Sequence, residues 1–190
     1  MSNKVLKNKL IAFAVQEIIA DNWNYLTIDS LSKELKIPLE KILSICSSKH
    51  ELLDMWSLNI DHNMVKNIPI KELETVPVKE RLLELMLCRF DVLAKKREEV
   101  CALVKLSKTN IIEAKNSLNR INKSMELICN YSGIIIDGTV GKYKVKTLTF
   151  VWLLVFKEWF KSDIHDENML LSKIDKNLTV LEKFKNIITK

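Results

Sequence analysis

The chain has 190 residues, 47% of them hydrophobic, which is enough for a real core in one large or two small domains. Three glycines and three prolines point to long uninterrupted helices, and no strand pattern of any length competes. The formal net charge of +6 invites a nucleic-acid partner, yet residues 1–56 hold seven lysines and seven acids, so the whole surplus lies in residues 57–190.

The first helix is predicted from about Lys4 to Ala20, with Leu6, Leu10, Phe13, Ala14 and Ile18 on a face interrupted only by Glu17. Asp21-Asn22 ends it, and Trp23 and Tyr25 are expected to plug the next loop onto the core of the head. Thr27 is a good N-cap, and Asp29 complements the positive end of the following helix, whose apolar face is Ile28, Leu31 and Leu35. Pro38 cannot continue that helix but suits the first turn of the next. Leu39, Ile42, Leu43 and Cys46 are expected to form the apolar face there. Ser48 and Glu51 make a capping box for a fourth helix, Lys49 to about Asn67. Two short helices, a three-residue turn and a capped helix behind them read as a helix-turn-helix, whose commonest use is to seat a helix in the major groove. On spacing alone, a compact helical hairpin of an all-α domain fits equally well.

Beyond residue 67, the segment IPIKELETVP (68–77) breaks the helical pattern with two prolines. Helices are predicted over 77–96, 97–107 and about 110–133, where Glu113 offers a capping box and Gly133 is a natural C′ residue. Gly133, Gly138 and Gly141 fall within nine residues, which predicts a major loop. A helix over about 142–161 and another from Asp166 onward complete an all-α chain of about nine helices. The expected division is a helix-turn-helix domain in residues 1–48 and a helical ligand-binding and dimerisation domain in 49–190.

From Leu148 to Phe156 only Thr149 is polar, so that helix needs cover on more than one side. The last helix adds a stripe of Leu170, Ile174, Leu178, Leu181, Phe184 and Ile188. Two such helices meeting their copies across a two-fold axis would form a four-helix interface, with Val151, Val155, Trp159, Leu178 and Leu181 facing the partner. The other reading is a central helix buried within a monomer.

No catalytic constellation stands out. His50, His62 and His165 are far apart, no residues have metal-ligand spacing, and there is no glycine-rich phosphate loop or nucleophile elbow. The chain is therefore expected to be no enzyme and to carry no metal or cofactor. Cys46, Cys88, Cys101 and Cys129 sit on predicted apolar faces and read as reduced core residues of a cytoplasmic protein. No signal peptide is read at the N-terminus, and the longest apolar run, Phe150 to Phe156, is far short of the roughly 20 residues that span a bilayer.

A first helix, a helix-turn-helix and the Ser47-Ser48-Lys49 start of a helix continuing into Leu52-Leu53 together resemble TetR-type transcriptional regulators. The segments RLLELMLCRFDVL (81–93), SGIIIDG (132–138), KVKTLTFVWLLVFKEWFKSD (144–163) and IDKNL (174–178) resemble one proteobacterial branch of that family. That branch is similar in turn to the TetR-fold lipid-binding accessory proteins of ubiquinone biosynthesis, which have given up DNA, and Trp23 resembles the tryptophan found there in those proteins. The resemblance implies a homodimer that binds double-stranded DNA. Leu39, Lys41 and Ser44 would face the groove and Thr27 and Lys49 would touch phosphate, with Lys36 and Glu40 beside them. It also implies an apolar small molecule or lipid in the body, held by residues such as Trp56, Ile60, Met86, Arg89, Phe90, Leu103, Met125, Ile128 and Trp152. Such a ligand would change the separation of the two heads through the helix over 49–67.

Several positions depart from the family pattern. Lys36-Ile37-Pro38 stands where Gly-Val-Ser is usual, and Glu40-Lys41 replaces a small residue and threonine. Leu43, Ser44, Ile45 and Cys46 take the place of the backbone-binding aromatic pair and the closing phenylalanine. No arginine occurs before Arg81, which removes the usual bidentate reader of guanine from the head. The accessory-protein reading, with weakened or lost DNA binding, is accordingly the alternative to a regulator.

Overall fold

The computed structural model describes residues 2–162 and 166–183, apart from the side chains of residues 70, 71 and 183. Among them are ten helices and no strand: α1 (Asn3–Ile19), α2 (Ile28–Leu35), α3 (Leu39–Leu43), α4 (Lys49–Lys66), α5 (Ile70–Leu73), α6 (Val78–Ala94), α7 (Arg97–Thr109), α8 (Ile111–Tyr131), α9 (Gly138–Lys161) and α10 (Glu167–Lys183). Nine match the predicted helices. The tenth, α5, is a single turn inside the segment that the two prolines were expected to keep irregular.

The chain forms two compact units. Unit 1 comprises the described residues up to Asn59 and Lys96–Leu118, and unit 2 comprises Ile60–Lys95 and the described residues from Asn119 onward. The chain crosses between them within α4, between α6 and α7, and within α8. The head thus holds more chain than residues 1–48. α7 packs on α1, and Leu106 of α7 joins a core of Leu6, Leu10, Ala14, Leu31, Ile42, Leu52 and Leu53. A three-helix head alone buries little apolar surface, and the added helix supplies what so small a core lacks.

The helix boundaries in unit 1 follow their caps. Ser2 Oγ accepts from Val5 N–H, and Asp21, at φ 65, turns the chain out of α1 in the left-handed conformation that Asp tolerates. Thr27 and Ser30 cap each other reciprocally at the start of α2, with distances of 3.0 and 2.9 Å. At α4, Ser48 Oγ accepts from Glu51 N–H, while the Glu51 carboxylate reaches back one residue further than a capping box requires, to Ser47 N–H at 3.0 Å. Hydrogen bonds from the Ser47 hydroxyl and, next, from its N–H hold the Glu51 carboxyl below its ordinary value. Trp23 is buried as expected, but Tyr25 is 83% exposed, and Leu26 takes its place in the core.

α2 ends on Lys36 at φ 54, a left-handed conformation that glycine adopts freely and lysine at a cost of about 1–2 kcal/mol. Lys36→Gly should relieve this strain. Offset by the greater freedom of glycine in the unfolded chain, the net gain is about 0.5–1 kcal/mol. For a chain of this length that is a rise of about 1–4 °C in Tm, measurable by circular dichroism. A lower Tm would show that the Lys36 side chain contributes more than its backbone costs.

Unit 2 is built on α6, α9 and α10, with α10 packed against both of the others. Phe90 of α6 stacks on Trp152 of α9, with ring centroids 4.2 Å apart, and meets Trp159 at 5.4 Å. Lys79 ties α6 to α10 through Asp175 at 2.8 Å and Thr179 Oγ1 at 2.7 Å. α8 ends in a Schellman motif: Ile134 N–H donates to Cys129 O and Gly133 N–H to Asn130 O, with Gly133 at φ 77. The glycine-rich stretch is only partly loop. α9 begins at Gly138, a turn earlier than predicted, because Gly141 lets the helix press against the Ile136 backbone, where a Cβ would come within 1.8 Å. Phe184, Ile188 and His165, which entered the sequence-based expectations, lie outside the described residues.

Candidate functional sites

The first site is the turn between α2 and α3. Pro38 is the N-cap residue of α3, one position before the first turn where it was expected, and the helix has only five residues. Ile42 and, just beyond the helix, Cys46 anchor it in the core of unit 1, which leaves Leu39, Glu40, Lys41, Leu43 and Ser44 exposed. Leu39 and Leu43 had been expected on the buried face. α3 is too short for a full apolar stripe, and Ile37 before it completes the packing instead. Ser44 Oγ donates to Lys41 O at 2.8 Å and closes the helix. Lys36 and Thr27 are exposed at either end of α2, so six of the seven predicted DNA-facing residues stand on the surface of the head.

Lys49 is placed differently. Its Nζ donates to Trp23 O at 2.5 Å and lies 4.7 Å from the Trp23 ring centroid. Burial lowers its pKa from the ordinary lysine value, and Glu113 partly opposes that shift. This lysine locks the loop after α1 onto the start of α4. A charge in this position would have had to leave Trp23 to meet a phosphate. His50 extends the cluster, pairing through Nδ1 with the buried Glu113 and meeting Trp23 edge-on at 5.8 Å. Sequence reasoning missed this grouping, because Glu113 stands 63 positions from His50 and had been read as a capping residue. Asn110 does cap α8, accepting from Ile112 N–H at 3.0 Å.

The predicted pocket residues divide between the units. Trp56 and Leu103 lie half-buried against the unit 1 core, and the Trp56 indole N–H donates to Glu99, which also pairs with Lys96 at 2.7 Å. Ile60, Met86, Phe90, Met125, Ile128 and Trp152 are buried in unit 2 together with Arg89. Arg89, expected among the ligand-holding residues, is buried with polar partners of its own. Its Nε donates to Asp61 Oδ1 at 2.9 Å and its Nη2 to Ser124 Oγ at 2.9 Å, while Ser124 Oγ donates to Asp61 Oδ2 at 2.7 Å. The guanidinium lies 4.6 Å from the Trp152 ring centroid.

Val151, Val155, Trp159, Leu178 and Leu181, expected at a dimer interface, are buried within the chain's own unit 2. The outward face of α9 carries Tyr143, Phe150 and Leu154 instead, and that of α10 carries Leu171 and Val180. An apolar run does not reveal which of its sides faces inward. The Phe90–Trp152–Trp159 stack decides it here.

Burial pushes the Cys46 and Cys88 thiols up to about 11 and the Cys129 thiol to about 12, while Cys101 is exposed. Among the described residues no group of three His, Cys, Asp or Glu side chains could hold a metal ion, and no helix is long and apolar enough to cross a membrane.

The helix-turn-helix head joined to an all-α body is the fold of TetR transcriptional regulators. A solved structure of the TetR transcriptional regulator from Nitrosomonas europaea matches with a TM-score of 0.65 over 94% of this chain and 98% of that one, at 17% identity. No family model and no curated protein matches the sequence.

Proposed function

We propose that the chain is a homodimeric, ligand-responsive transcriptional regulator that seats α3 in the major groove of double-stranded DNA and holds an apolar small molecule in unit 2. The observation that carries this reading is the helix-turn-helix itself, with α3 anchored by Ile42 and its polar and apolar tips turned outward. Leu39 and Leu43 offer apolar contact to thymine methyl groups, and Lys41 offers a cation to the groove or backbone. The exposed apolar side chains Phe150 and Leu154 of α9 and Leu171 and Val180 of α10 supply a face for a second copy. Coupling between the ligand and DNA would pass along the three chain crossings between the units and is typically worth ~1–3 kcal/mol. No catalytic role is assigned to any residue.

The electrostatics set the size of the expected effect. With Lys49 held by Trp23, the lysines expected to meet the duplex are the three of the N-terminal arm, Lys4, Lys7 and Lys9, with Lys36 and Lys41. Five per protomer make ten per dimer, so the slope of log affinity against log salt should be no steeper than about −9. Fluorescence anisotropy with random duplex and with DNA from upstream of the chain's own reading frame measures it. Glu40→Ser should raise non-specific affinity and Lys41→Ala should lower it. Absence of binding at about 50 mM salt sinks the regulator reading.

Two observations favour the second reading, a lipid- or isoprenoid-binding accessory protein that uses unit 2 alone. The family's phosphate-binding lysine, Lys49, is engaged inside the head, and Glu40 presents a carboxylate where phosphates would approach. The same titration decides between the two, since only the regulator has a salt-dependent DNA complex.

A further inference from the structure

Arg89 is 4% exposed, yet its hydrogen bonding is one-sided. The side edge of the guanidinium is spent inward, with Nε on Asp61 and Nη2 on Ser124. Asp61 is also committed, because its second carboxylate oxygen accepts from Ser124 and so cannot swing toward Nη1. Of the five N–H groups that an arginine carries, the two on Nη1 find no acceptor among the described residues. The residue is not fully sealed off, since a small part of its surface remains exposed. The guanidinium cannot turn away from this arrangement, because the Trp152 ring lies 4.6 Å from it and is itself stacked by Phe90. In sequence, each polar member of the triad adjoins a fully buried apolar residue: Ile60 before Asp61, Phe90 after Arg89 and Met125 after Ser124. Stability alone does not call for such a triad, because well-packed apolar replacements of buried ion pairs are often as stable or more so.

We propose that Arg89 is an anion anchor and that unit 2 takes ligands carrying a carboxylate on an apolar body, with the carboxylate meeting the free Nη1/Nη2 edge of the guanidinium. This rests on the reading of unit 2 as a ligand-binding unit. Asp61 and Ser124 are positioning residues that hold the fork; they do not touch the ligand. A planar guanidinium fixed along one edge presents the other as a paired donor, the geometry that carboxylates accept two-pronged. The surrounding side chains suit an alkyl or aromatic body and disfavour a polyanion.

The test is isothermal titration of the full chain with matched probes: decanoate against decanol, and naphthoate against naphthylmethanol. Each acid should bind at least about tenfold tighter than its alcohol, or about 1.4 kcal/mol. Arg89→Lys keeps the charge but loses the fork, and should shrink that preference; Arg89→Met should erase it. Equal affinity for acid and alcohol in the wild type, or a preference that survives Arg89→Met, overturns the anchor and leaves the ligand-binding reading standing. Binding of none of the four probes overturns both. Should Arg89→Met fail to fold, the wild-type comparison of acid with alcohol decides alone.

Discussion

Leu178→Glu is expected to abolish the folded state of unit 2, whereas Phe150→Glu combined with Leu154→Glu is expected to leave a folded chain that no longer self-associates. Leu178 has no exposed surface and lies on α10, which packs against α6 and α9. Truncating a buried leucine costs about 2–5 kcal/mol before any charge is considered. Burying an unpaired carboxylate adds several more, enough to exceed much of a typical domain's stability of about 5–15 kcal/mol. Phe150, at 61% exposure, and Leu154 stand outside on α9 one helical turn apart. Charges there cost the protomer little and would repel their copies across a two-fold axis. Thermal melts and sedimentation velocity of both variants separate these outcomes. A Leu178→Glu chain that melts like wild type would mean that α10 is not packed as described. A Phe150→Glu, Leu154→Glu chain that still dimerises would move the interface elsewhere.

Those two leucine-rich helices show where the sequence was informative and where it was not. Helix extents largely follow from local rules, so Pro77 marked the start of α6, and Asn110 and Gly133 the two ends of α8, to within a residue or two, whereas α9 starts a turn earlier than its pattern suggested. The inward face of an amphipathic helix such as α2 was also legible, because polar residues occupy the other side. α9 has almost no polar side between Leu148 and Phe156. Its orientation is set by an aromatic partner 62 and 69 positions away in sequence, Phe90 against Trp152 and Trp159, which no local pattern encodes.

The candidate sites divide in the same way. The exposed placement of Thr27, Lys36, Glu40, Lys41 and Ser44 was legible because turn and cap chemistry fixes it locally. Lys49 was misplaced because its partner is the Trp23 carbonyl, 26 positions earlier, and a lysine at a helix start looks free until that loop is folded over it. Arg89 was named among the residues of the ligand-binding body, but its partners Asp61 and Ser124, 28 and 35 positions away, could not be read from any local pattern. The extension of the head to α7 was equally hidden, since nothing in residues 97–109 marks them as partners of α1.

The Arg89 triad provides the second large expected effect, and it bears on why the triad is there. Asp61→Ala removes one partner and leaves a buried guanidinium held only by Ser124, which should cost about 3–5 kcal/mol. In a chain of this length that lowers Tm by about 10 °C. Replacing both charges, Asp61→Val with Arg89→Met, removes the attraction and both desolvation penalties together, so the double variant should recover most or all of the loss. Differential scanning calorimetry of the single and double variants closes the cycle. A double variant no more stable than Asp61→Ala would make the ion pair a net stabilising element, and the core would then be reason enough to keep it. Recovery to wild-type stability leaves the fold indifferent to the pair, so that its retention must be explained by something outside folding. A carboxylate at the free edge of Arg89 is what the geometry offers.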